Sequence, residues 1–168
     1  MVPLLASSCG GSAPPKVTGP SHRIAGPGFS FAAPDGWTDT QTGATVVARQ
    51  PGQTEGALVS ATAYLLAKPY SAALFSTAAK ELDGVAAKLA QASGGTVTES
   101  VTTTVDGRKI RAYRFTAHPS GKPSTDDRIG FVLEGRHEYQ LLCRVPAGAG
   151  DPDGACALLF GSFAAHLE

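Results

Sequence analysis

Neither sign of charge prevails in this 168-residue chain: 14 Lys and Arg balance 14 Asp and Glu, for a formal net charge of zero. That balance excludes the basic footprint with which proteins hold nucleic acid or anionic lipid. Long apolar runs are also missing. None approaches the roughly 20 residues needed to cross a bilayer, so any membrane attachment has to come from a lipid.

Catalytic patterns are equally scarce. A serine hydrolase needs its nucleophile on a Gly-x-Ser-x-Gly turn, and the nearest approach, Gly28-Phe29-Ser30-Phe31-Ala32, lacks the second glycine and reads as a strand. The four histidines, His22, His118, His137 and His166, are scattered, and His137-Glu138 has no second His at helical spacing. Asp126-Asp127 lacks further oxygen ligands and reads as a solvated turn. Gly94-Gly95 ends a helix where a phosphate loop would begin one. The expectation is a non-enzymatic protein with no cofactor and no metal.

What is present begins with three cysteines, unevenly placed. Leu4-Leu5-Ala6-Ser7-Ser8-Cys9 followed by Gly10-Gly11-Ser12-Ala13-Pro14-Pro15 is similar to the end of a bacterial lipoprotein signal running into its spacer, in which the cysteine is lipidated. Ala6 stands where such signals usually carry leucine, and Met1 to Ser8 is too short for an apolar region and has no Lys or Arg. Residues 1–28 are therefore expected to be a truncated signal remnant and a tether, with Cys9 as lipidation site; an ordinary free thiol is the alternative. From Gly10 to Gly28 the chain is too poor in apolar residues to offset its ordering entropy, and 19 such residues reach roughly 25 Å.

Cys143 and Cys156 lie 13 positions apart near the C-terminus. A disulfide there would require an oxidising compartment. The alternatives are two buried free thiols or a metal pair, although the spacing matches no zinc pattern.

Residues 29–168 are expected to form one domain. Phe29 to Ala33, Thr45 to Arg49 and Leu58 to Leu66 read as strands, the last with Val59, Ala61, Ala63 and Leu65 on one face. A helix follows: Ser71 is its expected N-cap, Leu74, Ala78, Leu82, Val85 and Leu89 its buried stripe, and Gly94-Gly95 its end. Val97, Val101 and Val105 alternate with threonines, Asp106-Gly107 supplies a type I′ turn, and Arg108 to Ala117 returns. Apolar residues of both parities on that return strand imply a bulge or burial on both faces. A loop from His118 to Asp127 leads to Arg128–Glu134, a turn at Gly135-Arg136, and His137–Val145. Asp151 and Pro152 open a final helix with Ala155, Leu158, Leu159 and Phe163 inward.

The order β-β-β-α-β-β-β-β-α implies an α+β domain, a mainly antiparallel sheet of about six or seven strands covered by two helices. The opening Phe29-Ser30-Phe31-Ala32-Ala33-Pro34-Asp35-Gly36-Trp37, the single long helix after three strands, the Asp106-Gly107 hairpin and the closing helix resemble the PsbP/Mog1-like fold, and within it the actinobacterial LpqN/LpqT-type lipoproteins. The resemblance implies an extracytoplasmic, envelope-attached accessory or binding domain, with no catalytic residues. Candidate binding residues are the aromatics Trp37, Tyr64 and Tyr70, and His118 and Lys122 of the long loop. The expected partner is an envelope protein, with a small apolar or glycolipid-like ligand as the alternative.

Overall fold

Antiparallel pairing organises almost every element of the computed structural model, which describes residues 19–166. In chain order these are β1 (Ser21–Gly26), β2 (Phe29–Pro34), β3 (Thr38–Thr42), β4 (Thr45–Arg49), β5 (Leu58–Tyr70), α1 (Phe75–Ala92), β6 (Val97–Val105), β7 (Arg108–Ala117), β8 (Thr125–Pro146), α2 (Ala155–Ser162) and β9 (Ala164–Ala165). Single 3-10 turns, Ala72–Leu74 and Pro152–Gly154, lead into the two helices. A large sheet runs β3-β4-β5-β8-β7-β6, and a small one β1-β2-β9.

β8 is extended over all 22 residues yet cannot be straight. A strand rises about 3.3 Å per residue, but the Arg144 guanidinium sits 2.6 Å from the Asp127 carboxylate, 17 residues away in sequence. Ala147 N–H also donates to Ser124 O at 3.0 Å. The segment therefore folds back at Gly135, whose φ of +55° is open to glycine at little cost. Its first arm pairs with β7 through Thr125–Phe131 and its second with β5 through Gly135–Arg144. The expected turn at Gly135-Arg136 is present, and the large sheet has seven strand positions across.

Two apolar layers flank this sheet. On one face Phe29, Phe31, Tyr139, Leu141, Leu159 and Phe163 belong to a core closed by α2 and the small sheet. Phe29 packs against Phe31, Tyr139 and Phe163 with ring centroids 5.9–6.3 Å apart. Fully burying each such ring contributes roughly 1.5–3 kcal/mol. On the other face α1 lays Leu82, Ala86 and Ala90 over Tyr113, Phe115, Ile129 and Phe131. β7 carries both layers: Ile110 and Ala112 face the first, Tyr113 and Phe115 the second. Its register with β8 is regular, so burial on both faces is the explanation for its mixed parity.

Five local expectations are corrected. The tether does not extend to Gly28, because Ser21–Gly26 pairs along β2 and buries Ile24. Val97 does not share a face with Val101 and Val105, because a bulge between Val97 and Glu99 reverses the alternation. Ser71 makes no side-chain cap. The stripe of α1 is narrower than expected, with Leu74, Val85 and Leu89 outside it. The His118 loop ends before Thr125, and Asp127 is a buried strand residue and no part of a solvated turn.

The helix ends and turns otherwise follow the sequence. Gly94 takes φ +76°, and Gly95 N–H reaches Ala90 O at 2.8 Å while Gly94 N–H reaches Gln91 O at 3.0 Å, the paired bonds of a Schellman end. Asp106 and Gly107 both have positive φ, as a type I′ turn demands. The Asp151 carboxylate accepts from Cys156 N–H at 2.8 Å and Ala157 N–H at 3.1 Å, capping α2 across the intervening 3-10 turn.

Candidate groove between α1 and the end of β5

α1 rests on the sheet through small side chains. Ala86 and Ala90 have no side chain beyond Cβ to spread the contact, so the helix buries a strip one residue wide at i, i+4 spacing and leaves its flank open. Leu74, Val85 and Leu89 are 48%, 43% and 37% exposed. Facing this flank is the far end of β5, where the register with β8 breaks between Leu65 and Tyr70. The chain there leaves regular pairing, and Pro69 supplies no N–H to a ladder.

A groove of about 470 Å³ lies between them. Leu66, Pro69, Tyr70, Leu74, Val85 and Leu133 form its apolar walls. Glu138, opposite Tyr64 in the β5–β8 register, and Glu81 of α1 bring carboxylates into it. Burial pushes the Glu138 carboxyl above its ordinary value, and the Tyr70 hydroxyl likewise. Among the described residues no cationic group comes within 4.0 Å of either glutamate, and Lys68 lines the groove without an ion pair of its own. An apolar trough holding an uncompensated, partly desolvated carboxylate is chemically suited to an apolar segment that carries a positive charge.

A second cleft, of about 600 Å³, opens where the β1–β2 turn meets Tyr64, His137 and Tyr139. Its walls are mostly apolar, and the His137 Nδ1 atom is buried there without a hydrogen-bond partner among the described residues. Beside it the Ser30 hydroxyl lies 2.7 Å from His166 Nε2. Arg23 donates to the same oxygen through Nη2 at 2.6 Å and Nε at 3.1 Å, and Ser30 is buried. The hydroxyl accepts from Arg23, and among the described residues no carboxylate lies within 4.0 Å of His166.

The sequence-derived candidates do not converge. Trp37 is 5% exposed and belongs to the core, its indole N–H donating to Asp153 at 3.2 Å, which removes it from any binding surface. Tyr64 lines the second cleft and Tyr70 the groove. His118 is tied to Ser124 Oγ at 2.7 Å and Lys122 stands 3.9 Å from Glu55, both away from either opening. Cys143 and Cys156 are joined, with Cα atoms 5.3 Å apart, which also withdraws their sulfurs from the Cys143–Asp151–Cys156 cluster as metal ligands. Cys9 lies outside the described residues. Leu74 and Val85, the main wall of the groove, were expected in the core. The signal for their exposure was the Leu82-Ala86-Ala90 spacing, which forms a complete i, i+4 stripe without them.

No family model matches the sequence, and no curated protein matches it. Solved structures do. A crystal structure from Bacteroides thetaiotaomicron VPI-5482 superposes with a TM-score of 0.62 at 14% identity, over 87% of this chain and 48% of the other, so the chain spans about half the length of that protein. The cyanobacterial PsbP protein CyanoP from Synechocystis sp. PCC 6803 gives 0.58 at 12% identity, over 95% and 98%. LpqN of Mycobacterium tuberculosis, involved in cell envelope biogenesis, gives 0.60 at 12% identity, over 88% and 86%. The chain has a PsbP-like fold.

Proposed function

We propose that this chain is a non-catalytic accessory module of the cell envelope that binds a protein partner in the groove between α1 and the end of β5. The observation that carries the reading is the groove itself, with exposed Leu74 and Val85 on one wall, Leu66, Pro69 and Tyr70 on the other, and Glu138 unpaired between them. Exposed apolar side chains gathered beside a well-packed core mark interaction surfaces more often than chance. The partner is a segment with apolar side chains and a Lys or Arg directed at Glu138.

Three observations support the setting. The Cys143–Cys156 bond belongs to an oxidising compartment. LpqN, which shares the fold, is involved in cell envelope biogenesis. No helix of the described residues is long and apolar enough to cross a membrane; the proposed anchor is a lipid on Cys9, in the Leu4-Leu5-Ala6-Ser7-Ser8-Cys9 segment.

The test is site-specific photocrosslinking from Ala78, which lines the groove, in cells of the native host, comparing the unaltered chain with Val85→Asp and Glu138→Gln. A defined protein adduct should weaken about tenfold with Val85→Asp. It should weaken less with Glu138→Gln, while circular dichroism stays unchanged. An adduct indifferent to both substitutions would refute the groove as the binding surface. The second cleft favours an alternative, carriage of a small apolar ligand that bonds to His137 Nδ1; a small molecule released on denaturing the purified protein would mark that reading instead.

A further inference from the structure

On the sheet face opposite α1, β7 and β8 place two arginines in direct register, Arg114 beside Arg128. Like charges directly opposite each other in an antiparallel pair destabilise it. Arg114 is compensated by Glu99, 3.1 Å away on β6. Arg128 is not: among the described residues no carboxylate lies within 4.0 Å of it. Its guanidinium carbon instead lies 4.0 Å from the centroid of the Phe160 ring. Burial, and then the charge of Arg114, pull its pKa below the ordinary arginine value. The fold thus holds a partly desolvated cation with no ion pair within 4.0 Å among the described residues, offset only in part by the more distant charges of Glu99 and Asp151.

That guanidinium lines a cleft of about 470 Å³ shared with Thr98, Arg114 and the first turn of α2. The other polar groups there are already engaged. Asp126 accepts from Thr116 Oγ1 at 2.9 Å and from Gly148 N–H at 2.9 Å, Asp127 is neutralised by Arg144 at 2.6 Å, and Asp151 accepts the Cys156 and Ala157 N–H groups. Thr98 Oγ1 donates to Arg114 O at 3.1 Å. What the cleft has to offer a ligand is the guanidinium of Arg128, lying over the Phe160 ring, with Arg114 as a second cation.

We propose that this cleft binds a small organic carboxylate, held edge-on and bidentate by Arg128. The planar fork of arginine matches a carboxylate in shape. Asp126, Asp127 and Asp151 line the same cleft, with Glu99 behind Arg114, and disfavour the higher charge of phosphate.

The experiment is an NMR titration of the oxidised, isotope-labelled protein with acetate and benzoate, and separately with inorganic phosphate, at constant ionic strength set with chloride. The Arg128 Nε–Hε and the Cys156 and Ala157 amide signals are read. Saturable shifts with the carboxylates are expected, with affinity about tenfold or more weaker in Arg128→Gln, as loss of a charged hydrogen-bond pair implies. Arg128→Lys, which keeps the charge but loses the fork, should fall between. Should Arg128→Gln not fold, Arg128→Lys and the unaltered protein decide. Saturation by phosphate but not by carboxylates, non-saturating shifts alike for all anions, or equal affinity in the Arg128 variants would each overturn the proposal.

Discussion

Asp126 and Asp127 are indistinguishable in the sequence and do different jobs in the fold. Strand alternation sends them to opposite faces. Asp126 ties Thr116 to the Gly148 backbone, while Asp127, 2% exposed, receives Arg144 in two-pronged fashion at 2.6–3.1 Å and Thr125 Oγ1 at 2.9 Å. The pair clamps the open end of the β8 hairpin. Removing one member of a buried ion pair leaves the other uncompensated; because Arg144 is 38% exposed, water recovers part of that cost. Asp127→Asn should lower stability by about 2–3 kcal/mol, read as a reduced urea midpoint at unchanged slope. This role was illegible in the sequence, since it depends on a residue 17 positions away whose proximity exists only once the hairpin has formed.

At the scale of elements, α1 is fastened to β7 by a polar cluster at Asp83 as well as by its alanine stripe. Asp83 Oδ1 accepts from the Tyr113 hydroxyl at 2.7 Å and from Arg111 at 2.8 and 3.1 Å. The Arg111 hydrogen bond holds the Asp83 carboxyl below its ordinary value, and burial raises the Tyr113 hydroxyl. A carboxyl whose pKa is lower in the folded state than in the unfolded chain stabilises the fold fully above the unfolded value, about 4, and loses that contribution as pH falls through the folded one. The difference in melting temperature between the unaltered protein and Asp83→Asn should be constant above about pH 5 and shrink below about pH 4; a difference independent of pH would refute this coupling. Elements with strong local signals, such as the Asp106-Gly107 hairpin, the Gly94-Gly95 helix end and the apolar face of α2, were readable in advance. β1 was not, because Ser21–Gly26 has one buried apolar residue and becomes a strand only by borrowing the edge of β2. The groove was half readable: Tyr70 was a candidate, but its opposite wall depended on how narrow a stripe α1 would bury.

For the molecule as a whole, the covalent link between β8 and α2 holds the helical lid on the larger core. The bond closes a 13-residue separation, for which chain-entropy arguments give about 3 kcal/mol. Reduction, or Cys143→Ser with Cys156→Ser, should lower the guanidinium midpoint by a corresponding amount. An unchanged midpoint would mean that packing of Leu159, Phe160 and Phe163 alone seats the lid.

The small sheet has a consequence for the order of events in synthesis. β2 lies between β1 and β9, and Ala32 N–H bonds to Ser162 Oγ, 130 residues later in the chain. During translation β2 has its β1 neighbour at once, but its second edge and the Phe163 ring arrive only when almost all the described residues have been made. The small sheet, and the packing of Phe29 on Phe163 beside it, can therefore be completed only at the end of synthesis.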